Sequence, residues 1–146
     1  MTNTPTKIVY TANASITGGR QGHGRSEDGV LDVELTAAKE MGGPGTGTNP
    51  EQLFAVGYGA CFQSALAGVA KKEGVDASAS VVRTSVGLGP EGASYALTVD
   101  LVAEIPGVDD ATAQRLVDAA HQNCPYSKAV RGNVPVTVTG RGVATA

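Results

Sequence analysis

The amino-acid sequence predicts a single domain over residues 1–146 that mixes β-strands with α-helices. Apolar residues alternate with polar ones around residues 31–35 and 94–104, as in strands with one face in water. Two helices are also predicted. One is a long uncharged stretch over residues 53–70, and the other is a segment over residues 113–124 whose apolar residues recur at helical spacing. At 146 residues the chain has the usual size of one domain, and the sequence contains no internal repeat or linker.

The composition excludes several classes of partner. The net charge is -3, with a pI near 5.3, and no run of Lys or Arg offers a surface for nucleic acid or an anionic membrane. The first residues lack the basic and apolar regions of a signal peptide, so a cytoplasmic protein is expected. Two cysteines in that reducing compartment suggest a redox, metal or packing role rather than a permanent disulfide.

The N-terminal third predicts strands joined by glycine-rich turns. Residues 7–17 carry apolar side chains at every second position, which predicts a strand. Residues 18–24 contain too many glycines for a regular strand and are predicted to form a turn. Residues 31–35 are predicted to be a strand that forms a hairpin with the preceding segment.

A glycine-rich loop over residues 42–48 ends in a strong helix-start signal. Thr48 and Glu51 have the spacing of a capping box. Alternatively, Asn49 caps the helix and Pro50 takes its first position. The sequence leaves both arrangements open.

The uncharged helix is predicted to be buried almost all round, and its glycines and polar residues make it a poor membrane span. Each interior glycine costs a helix about 1 kcal/mol relative to alanine. Gly57, Gly59 and Gly68 therefore predict that another backbone approaches closely, which suits packing between subunits.

The C-terminal half predicts a hairpin, a helix and a last strand. Residues 78–88 and 94–104 are strand-like and are separated by turn residues. Asp109 and Asp110 open a helix that Pro125 interrupts. Val134, Val136 and Val138 predict a strand whose Pro135 suits an edge position.

Neither cysteine is assigned a role by its spacing alone. Cys61 lies about ten residues inside its helix, beyond the favourable end of the helix dipole, so a reactive thiolate there needs a cation from elsewhere. An inert buried thiol is the competing interpretation. Cys124 ends the second helix and is a possible resolving thiol, although nothing local proves that the two cysteines meet. A Cys/His metal site with His121 and His23 lacks a recognised spacing.

Four segments carry a resemblance to a known protein family. They are GGRQG at 18–22, DGVL at 28–31, GGPGTGTNPEQLFAVGYGACF at 42–62 and NCPYSKA at 123–129. These segments, in this order, resemble the organic hydroperoxide resistance branch of the OsmC-like family. The resemblance extends from about Lys7 to Gly140.

The resemblance implies a role for four residues. Cys61 would attack the peroxide and Cys124 would resolve the oxidised sulfur by forming a disulfide with it. Arg20 and Glu51 fall on the family's arginine and glutamate. A guanidinium is permanently charged and can bind both a thiolate and a carboxylate. A solvated turn residue is the alternative for Arg20, and the capping box is the alternative for Glu51, which could also combine both roles.

The resemblance also implies the fold, the activity and the partners. The expected fold is α+β and OsmC-like, with an antiparallel sheet and central buried helices intertwined in a homodimer. The expected activity is a two-cysteine thiol peroxidase that reduces alkyl and fatty-acid hydroperoxides, with no bound cofactor or metal. A dihydrolipoyl group on a lipoylated protein is the expected external reductant.

Other functions stay open on the sequence alone. One is an OsmC-branch peroxidase with a broader peroxide preference. Another is a domain that binds an apolar ligand without catalysis, and a third is a structural protein with inert thiols. Phe54, Tyr58 and Phe62 could line an apolar substrate site or could be core residues.

Overall fold

The computed structural model describes residues 2–145 of the chain. It contains both strands and helices, which confirms the predicted α+β class. Contacts divide the structure into two compact units, Met1–Leu53 and Phe54–Ala146. The boundary falls inside helix α1, which covers Pro50–Lys72. One domain over residues 1–146 therefore stays a prediction.

The first unit contains a small antiparallel sheet. Its strands are β1 (Ala14–Thr17), β2 (Gly22–Ser26) and β3 (Asp32–Leu35), in the order β1-β2-β3. The hairpin predicted for residues 31–35 is present, with β2 as the partner strand. The strand predicted over residues 7–17 is regular only from Ala14 onwards.

Strand β2 lies partly in the segment that its glycines marked as a turn. Gly24 is buried between two neighbouring strands, opposite Ile16 on β1 and Val33 on β3. A β-carbon built on Gly24 would lie 3.6–3.9 Å from the side chains of Leu35, Val33 and Ile16. The apolar side chains of the flanking strands thus cover this glycine, and pairing on both sides overrides its low strand propensity.

A tight turn between β1 and β2 carries Arg20. Gly18 and Gly19 have φ angles of 75° and 58°, which residues with a β-carbon rarely adopt. The amide of Gln21 donates a hydrogen bond of 3.0 Å to the carbonyl of Gly18 and closes the turn. The two glycines therefore place Arg20 at the tip between the strands.

Helix α1 begins at Pro50 and is capped by Asn49. The Asn49 Oδ1 atom accepts a hydrogen bond of 2.9 Å from the Gln52 amide. Of the two arrangements that the sequence left open, the Asn49 cap is correct. The Thr48 hydroxyl instead donates to the Gln52 side chain at 2.8 Å, so Thr48 and Glu51 form no capping box.

The second unit contains a three-stranded sheet and three helical segments. The elements after α1 are β4 (Val81–Glu91), β5 (Ser94–Pro106), α2 (Asp110–Asn123), α3 (Pro125–Val130) and β6 (Val136–Val143). The sheet order is β4-β5-β6.

The pairing in this sheet differs in part from the antiparallel sheet that was expected. Strands β4 and β5 form the predicted antiparallel hairpin, but β6 pairs with β5 in parallel. The helical connection through α2 and α3 returns the chain so that β6 runs in the direction of β5. The edge position predicted for β6 is correct, and Pro135 just before it accepts a hydrogen bond from the Val99 amide at 3.0 Å.

Helix α1 buries one stripe rather than its whole circumference. Its buried residues recur every fourth position: Tyr58, Phe62, Leu66 and Ala70. They share a core cluster with apolar residues of β5 and α2. Other positions of the helix are exposed, and Val56 is 73% exposed. Burial almost all round is therefore wrong for the single chain.

Two glycines of α1 lie against side chains of the same chain. A β-carbon on Gly57 would lie 2.8 Å from the Tyr126 hydroxyl, and one on Gly59 would lie 2.7 Å from the Thr84 hydroxyl. Apart from its own stretch of helix, a β-carbon on Gly68 would have no neighbour within 4 Å among the described residues. Within residues 2–145, two of the three glycines thus make room for side chains, and none of the three meets another backbone. Close packing of a partner subunit against these glycines stays a prediction.

Helix α1 is also long and apolar enough to cross a membrane, by length and composition only. Its mean hydropathy reaches 1.5 over an 18-residue window, of which 28% is buried. Core helices of soluble proteins reach the same values, so these properties alone identify no membrane span.

Candidate active site

The two cysteine side chains face each other in the second unit. The Sγ atoms of Cys61 and Cys124 are 3.6 Å apart, and both residues are free thiols. Cys61 is half-buried on α1, whereas Cys124 is fully buried. Two residues that are 63 positions apart in sequence are therefore brought together, which spacing alone left undecided.

Cys124 lies at the junction of two helices. Its amide donates to the Ala120 carbonyl at 2.8 Å, and its carbonyl accepts from the Lys128 amide at 3.0 Å. Its extended backbone ends α2 and begins α3. Pro125 was expected to interrupt a helix. It also takes the first position of α3, where a missing N–H has no cost.

The surroundings of Cys61 favour its neutral form. Burial raises the pKa of the Cys61 thiol, the Tyr126 backbone amide lowers this pKa, and the neighbouring Cys124 thiol raises it further. Because the largest of these effects is burial, a nucleophilic thiolate at Cys61 needs an additional positive charge.

In the first unit, Arg20 and Glu51 form a bidentate ion pair. The Arg20 Nη1 and Nη2 atoms donate to Glu51 Oε2 and Oε1, both at 2.8 Å. The Arg20 side chain is 38% exposed and the Glu51 side chain 17%. The Arg20 guanidinium lowers the pKa of the Glu51 carboxyl. Arg20 is therefore not merely a solvated turn residue, and Glu51 uses its carboxylate for this pair.

The Arg20–Glu51 pair predicts that the fold loses stability at low pH. A lowered pKa in the folded state means that Glu51 stabilises the fold above its unfolded pKa. This contribution disappears as the pH falls through the folded pKa. We expect Arg20→Lys to raise the Glu51 pKa, because an ammonium cannot form the two parallel hydrogen bonds. An NMR titration of the Glu51 carboxyl carbon measures this change, and an unchanged midpoint would contradict the assigned pair.

A buried polar cluster beside the thiols was not foreseen. The Tyr58 hydroxyl and the Ser127 Oγ are 2.7 Å apart, and Ser127 Oγ is 2.8 Å from His121 Nδ1. Tyr58 and Ser127 are both fully buried. The only sequence signal was their spacing, since Tyr58 precedes Cys61 by three residues and Ser127 follows Cys124 by three.

A cavity of about 480 Å³ opens beside Cys61. Its wall also includes Ser64, Ala65, Gly68, Val69, Lys72, Asn123 and Pro125. Phe54, Tyr58 and Phe62 are not part of this wall. Tyr58 and Phe62 are fully buried in the core, as the alternative interpretation held. Phe54 and Tyr58 instead form an aromatic cluster with Tyr126, whose ring centroids lie 5.5–6.0 Å apart.

The fold and the facing thiols define an α+β protein with a paired dithiol. The family model for OsmC-like protein matches residues 43–139. The organic hydroperoxide resistance protein of Xanthomonas axonopodis pv. citri (strain 306) is 48% identical over 137 residues, which cover 92% of this chain and 96% of that protein. The chain therefore belongs to the organic hydroperoxide resistance branch of the OsmC-like family, as the sequence motifs predicted.

Solved structures agree with this assignment. An organic hydroperoxide resistance protein from Elizabethkingia anophelis is similar with a TM-score of 0.88 and 45% identity, covering 94% of this chain and 100% of that chain. The organic hydroperoxide resistance protein OhrB of Bacillus subtilis is similar with a TM-score of 0.80 and 43% identity, covering 93% and 100%.

Proposed function

We propose that this protein is a two-cysteine thiol peroxidase that reduces organic hydroperoxides to alcohols and so protects against them. The observation that carries the proposal is the pair of free thiols, Cys61 and Cys124, with their sulfur atoms 3.6 Å apart. Family membership supports the substrate class, because the related proteins are named for resistance to organic hydroperoxides.

In the first step, the Cys61 thiolate attacks the terminal oxygen of the hydroperoxide. A sulfur–oxygen bond forms, the oxygen–oxygen bond breaks, and the alkoxide leaves and takes up a proton to become the alcohol. The sulfur is oxidised to a sulfenic acid and the peroxide is reduced. Cys61 suits this step because it is half-buried and borders the cavity, whereas Cys124 is fully buried.

In the second step, the Cys124 sulfur attacks the Cys61 sulfenic acid. A disulfide forms and the sulfenic oxygen leaves as water, with protons from the two groups. A disulfide bond is about 2.05 Å long, so the two sulfur atoms need to approach by only about 1.5 Å from their present separation.

Arg20 supplies the positive charge that the Cys61 thiolate needs, and Glu51 orients Arg20. A guanidinium stays charged at every relevant pH and offers several donors in a fixed plane. The two hydrogen bonds from Arg20 to Glu51 fix the plane of the guanidinium. This role explains how a thiol whose pKa is raised by burial becomes a nucleophile.

The cycle closes when an external dithiol reduces the disulfide, with no bound cofactor or metal. A dihydrolipoyl group on a lipoylated protein is the reductant that the family resemblance implies. We further propose that the protein acts in the cytoplasm as an intertwined homodimer. The exposed apolar positions of α1, such as Val56, are candidates for the subunit contact.

Binding of an apolar ligand without catalysis is the second candidate, favoured by the cavity with Ala65 and Val69 in its wall. A thiol titration separates the two functions. One equivalent of an alkyl hydroperoxide should consume both free thiols of each chain and produce no dimers linked through sulfur. If both thiols persist, the peroxidase proposal is wrong and ligand binding is favoured. Turnover with dihydrolipoamide, compared with thioredoxin and glutathione, then identifies the reductant.

A further inference from the structure

The two segments that carry the thiols, α1 and the start of α3, also meet at a second contact, a hydrogen bond between two hydroxyl groups. Tyr58 on α1 and Ser127 on α3 are hydrogen-bonded at 2.7 Å, while Cys61 and Cys124 face each other at 3.6 Å. Residues three apart on a helix lie on the same face, one turn from each other. The hydroxyl pair therefore lies about one helical turn from the thiol pair and spans the same gap.

Ser127 is hydrogen-bonded on both sides of this contact. Its Oγ is shared between Tyr58 and His121, whose Nδ1 lies 2.8 Å away at the end of α2. The Arg131 guanidinium donates to the His121 carbonyl at 2.5 Å, which ties the end of α3 to the end of α2. Ser127 thus connects α1, α2 and α3, three residues after Cys124 at the junction of α2 and α3.

Cys124 depends on these neighbours for its position. Its side chain is fully buried, and its sulfur contacts the Cys61 sulfur in the one hydrogen bond that it makes within the described residues 2–145. Otherwise, its main-chain bonds to Ala120 and Lys128 fix it relative to α2 and α3, but not relative to α1. The Tyr58–Ser127 hydrogen bond links α3 to α1, in addition to the packing of Tyr126 against Phe54 and Tyr58. A buried hydroxyl that loses its partner is costly.

We propose that Tyr58 and Ser127 are positioning residues that hold Cys124 within bonding reach of Cys61 for formation of the disulfide. The proposal rests on the proposed peroxidase function for its biological meaning. The positioning itself affects how readily the two thiols form a disulfide with any oxidant, so it can be measured without peroxide. It predicts that the hydrogen bond raises the effective concentration of one thiol at the other.

The effective concentration is measured by equilibrating the full chain in mixtures of reduced and oxidised dithiothreitol. In this exchange the Cys61–Cys124 disulfide forms as the disulfide of dithiothreitol is reduced to its dithiol, so electrons and protons balance. A bond with a merely structural role stabilises the dithiol and the disulfide forms equally. Its loss would lower the stability of the fold and leave this equilibrium unchanged.

Tyr58→Phe and Ser127→Ala test the proposal, and Ser80→Ala is the matched control. Ser80 is also a buried serine, and its hydroxyl accepts a hydrogen bond of 3.3 Å from Gln63 on α1. We expect each test variant to disfavour the disulfide about fivefold or more, in line with the loss of a buried hydrogen bond. The control should change the equilibrium less than twofold.

The double variant Tyr58→Phe/Ser127→Ala should be no more disfavoured than Ser127→Ala, because both changes remove the same bond. An equilibrium that is unchanged in Tyr58→Phe, with the fold intact by circular dichroism, would overturn the proposal. So would an equal shift in Ser80→Ala. If the peroxidase function fails instead, alkyl hydroperoxide leaves the thiols intact while the shift in the dithiothreitol equilibrium persists.

Discussion

Cys61→Ser is expected to abolish the consumption of alkyl hydroperoxide, whereas Cys124→Ser should keep the first reaction. A serine hydroxyl is not ionised near neutral pH and cannot form the sulfenic acid that Cys61 forms. The Cys124→Ser chain should therefore consume about one equivalent of peroxide and then stop. Without the resolving thiol, its Cys61 sulfenic acid should go on to the sulfinic acid when peroxide is in excess.

Peroxide loss and the intact mass of each variant measure this prediction. Cys124→Ser should gain one oxygen at one equivalent of peroxide and a second oxygen at higher ratios. Cys61→Ser should keep its mass, because Cys124 is fully buried and has no activating cation assigned to it. Equal peroxide consumption by the two variants would contradict the assigned order of attack and resolution.

Arg20→Ala is expected to raise the pKa of Cys61 and to slow the attack on peroxide. Burial already raises this pKa, so loss of a positive charge leaves the thiol form still more favoured at neutral pH. Once the pKa lies above the working pH, each further unit lowers the thiolate fraction about tenfold. The rate of attack should therefore rise with pH in both proteins, with the midpoint at higher pH in Arg20→Ala.

The pH dependence of alkylation by iodoacetamide measures this midpoint, in a Cys124→Ser background so that only Cys61 reacts. Arg25→Ala is the matched control, since Arg25 is a half-exposed arginine on β2 whose nearest carboxylate, Asp32, is 3.8 Å away. The control should keep the midpoint of the parent protein. An unshifted midpoint in Arg20→Ala would remove Arg20 from the mechanism.

Periodicity predicted most of the second unit because its elements have clear apolar patterns. The β4–β5 hairpin and the helix that opens at Asp109 follow the predicted segments within a few residues. The parallel pairing of β6 was not predictable, because the sequence does not say whether the helical connection leads back to the end of the sheet at which β5 begins. Strand β2 was missed because the neighbours of Gly24, rather than its own propensity, make it a strand.

The candidate site was predictable only in part from residue chemistry. The need for a cation beside Cys61 followed from the position of Cys61 in its helix, but the choice of Arg20 came from the family motif. That motif also pointed to Glu51, and the two side chains are paired at 2.8 Å. The Tyr58–Ser127 contact joins residues 69 positions apart, and no local pattern indicates that a serine near Cys124 meets a tyrosine near Cys61.

A peptide map after a single oxidation tests the central claim most directly. The full-length protein is treated with one equivalent of an alkyl hydroperoxide, digested without reductant and analysed by mass spectrometry. We predict a cross-linked pair of peptides joined through Cys61 and Cys124 within one chain, two hydrogens lighter than the sum of the separate peptides. Recovery of both cysteine peptides as free thiols, or of cross-links only between different chains, would contradict the account.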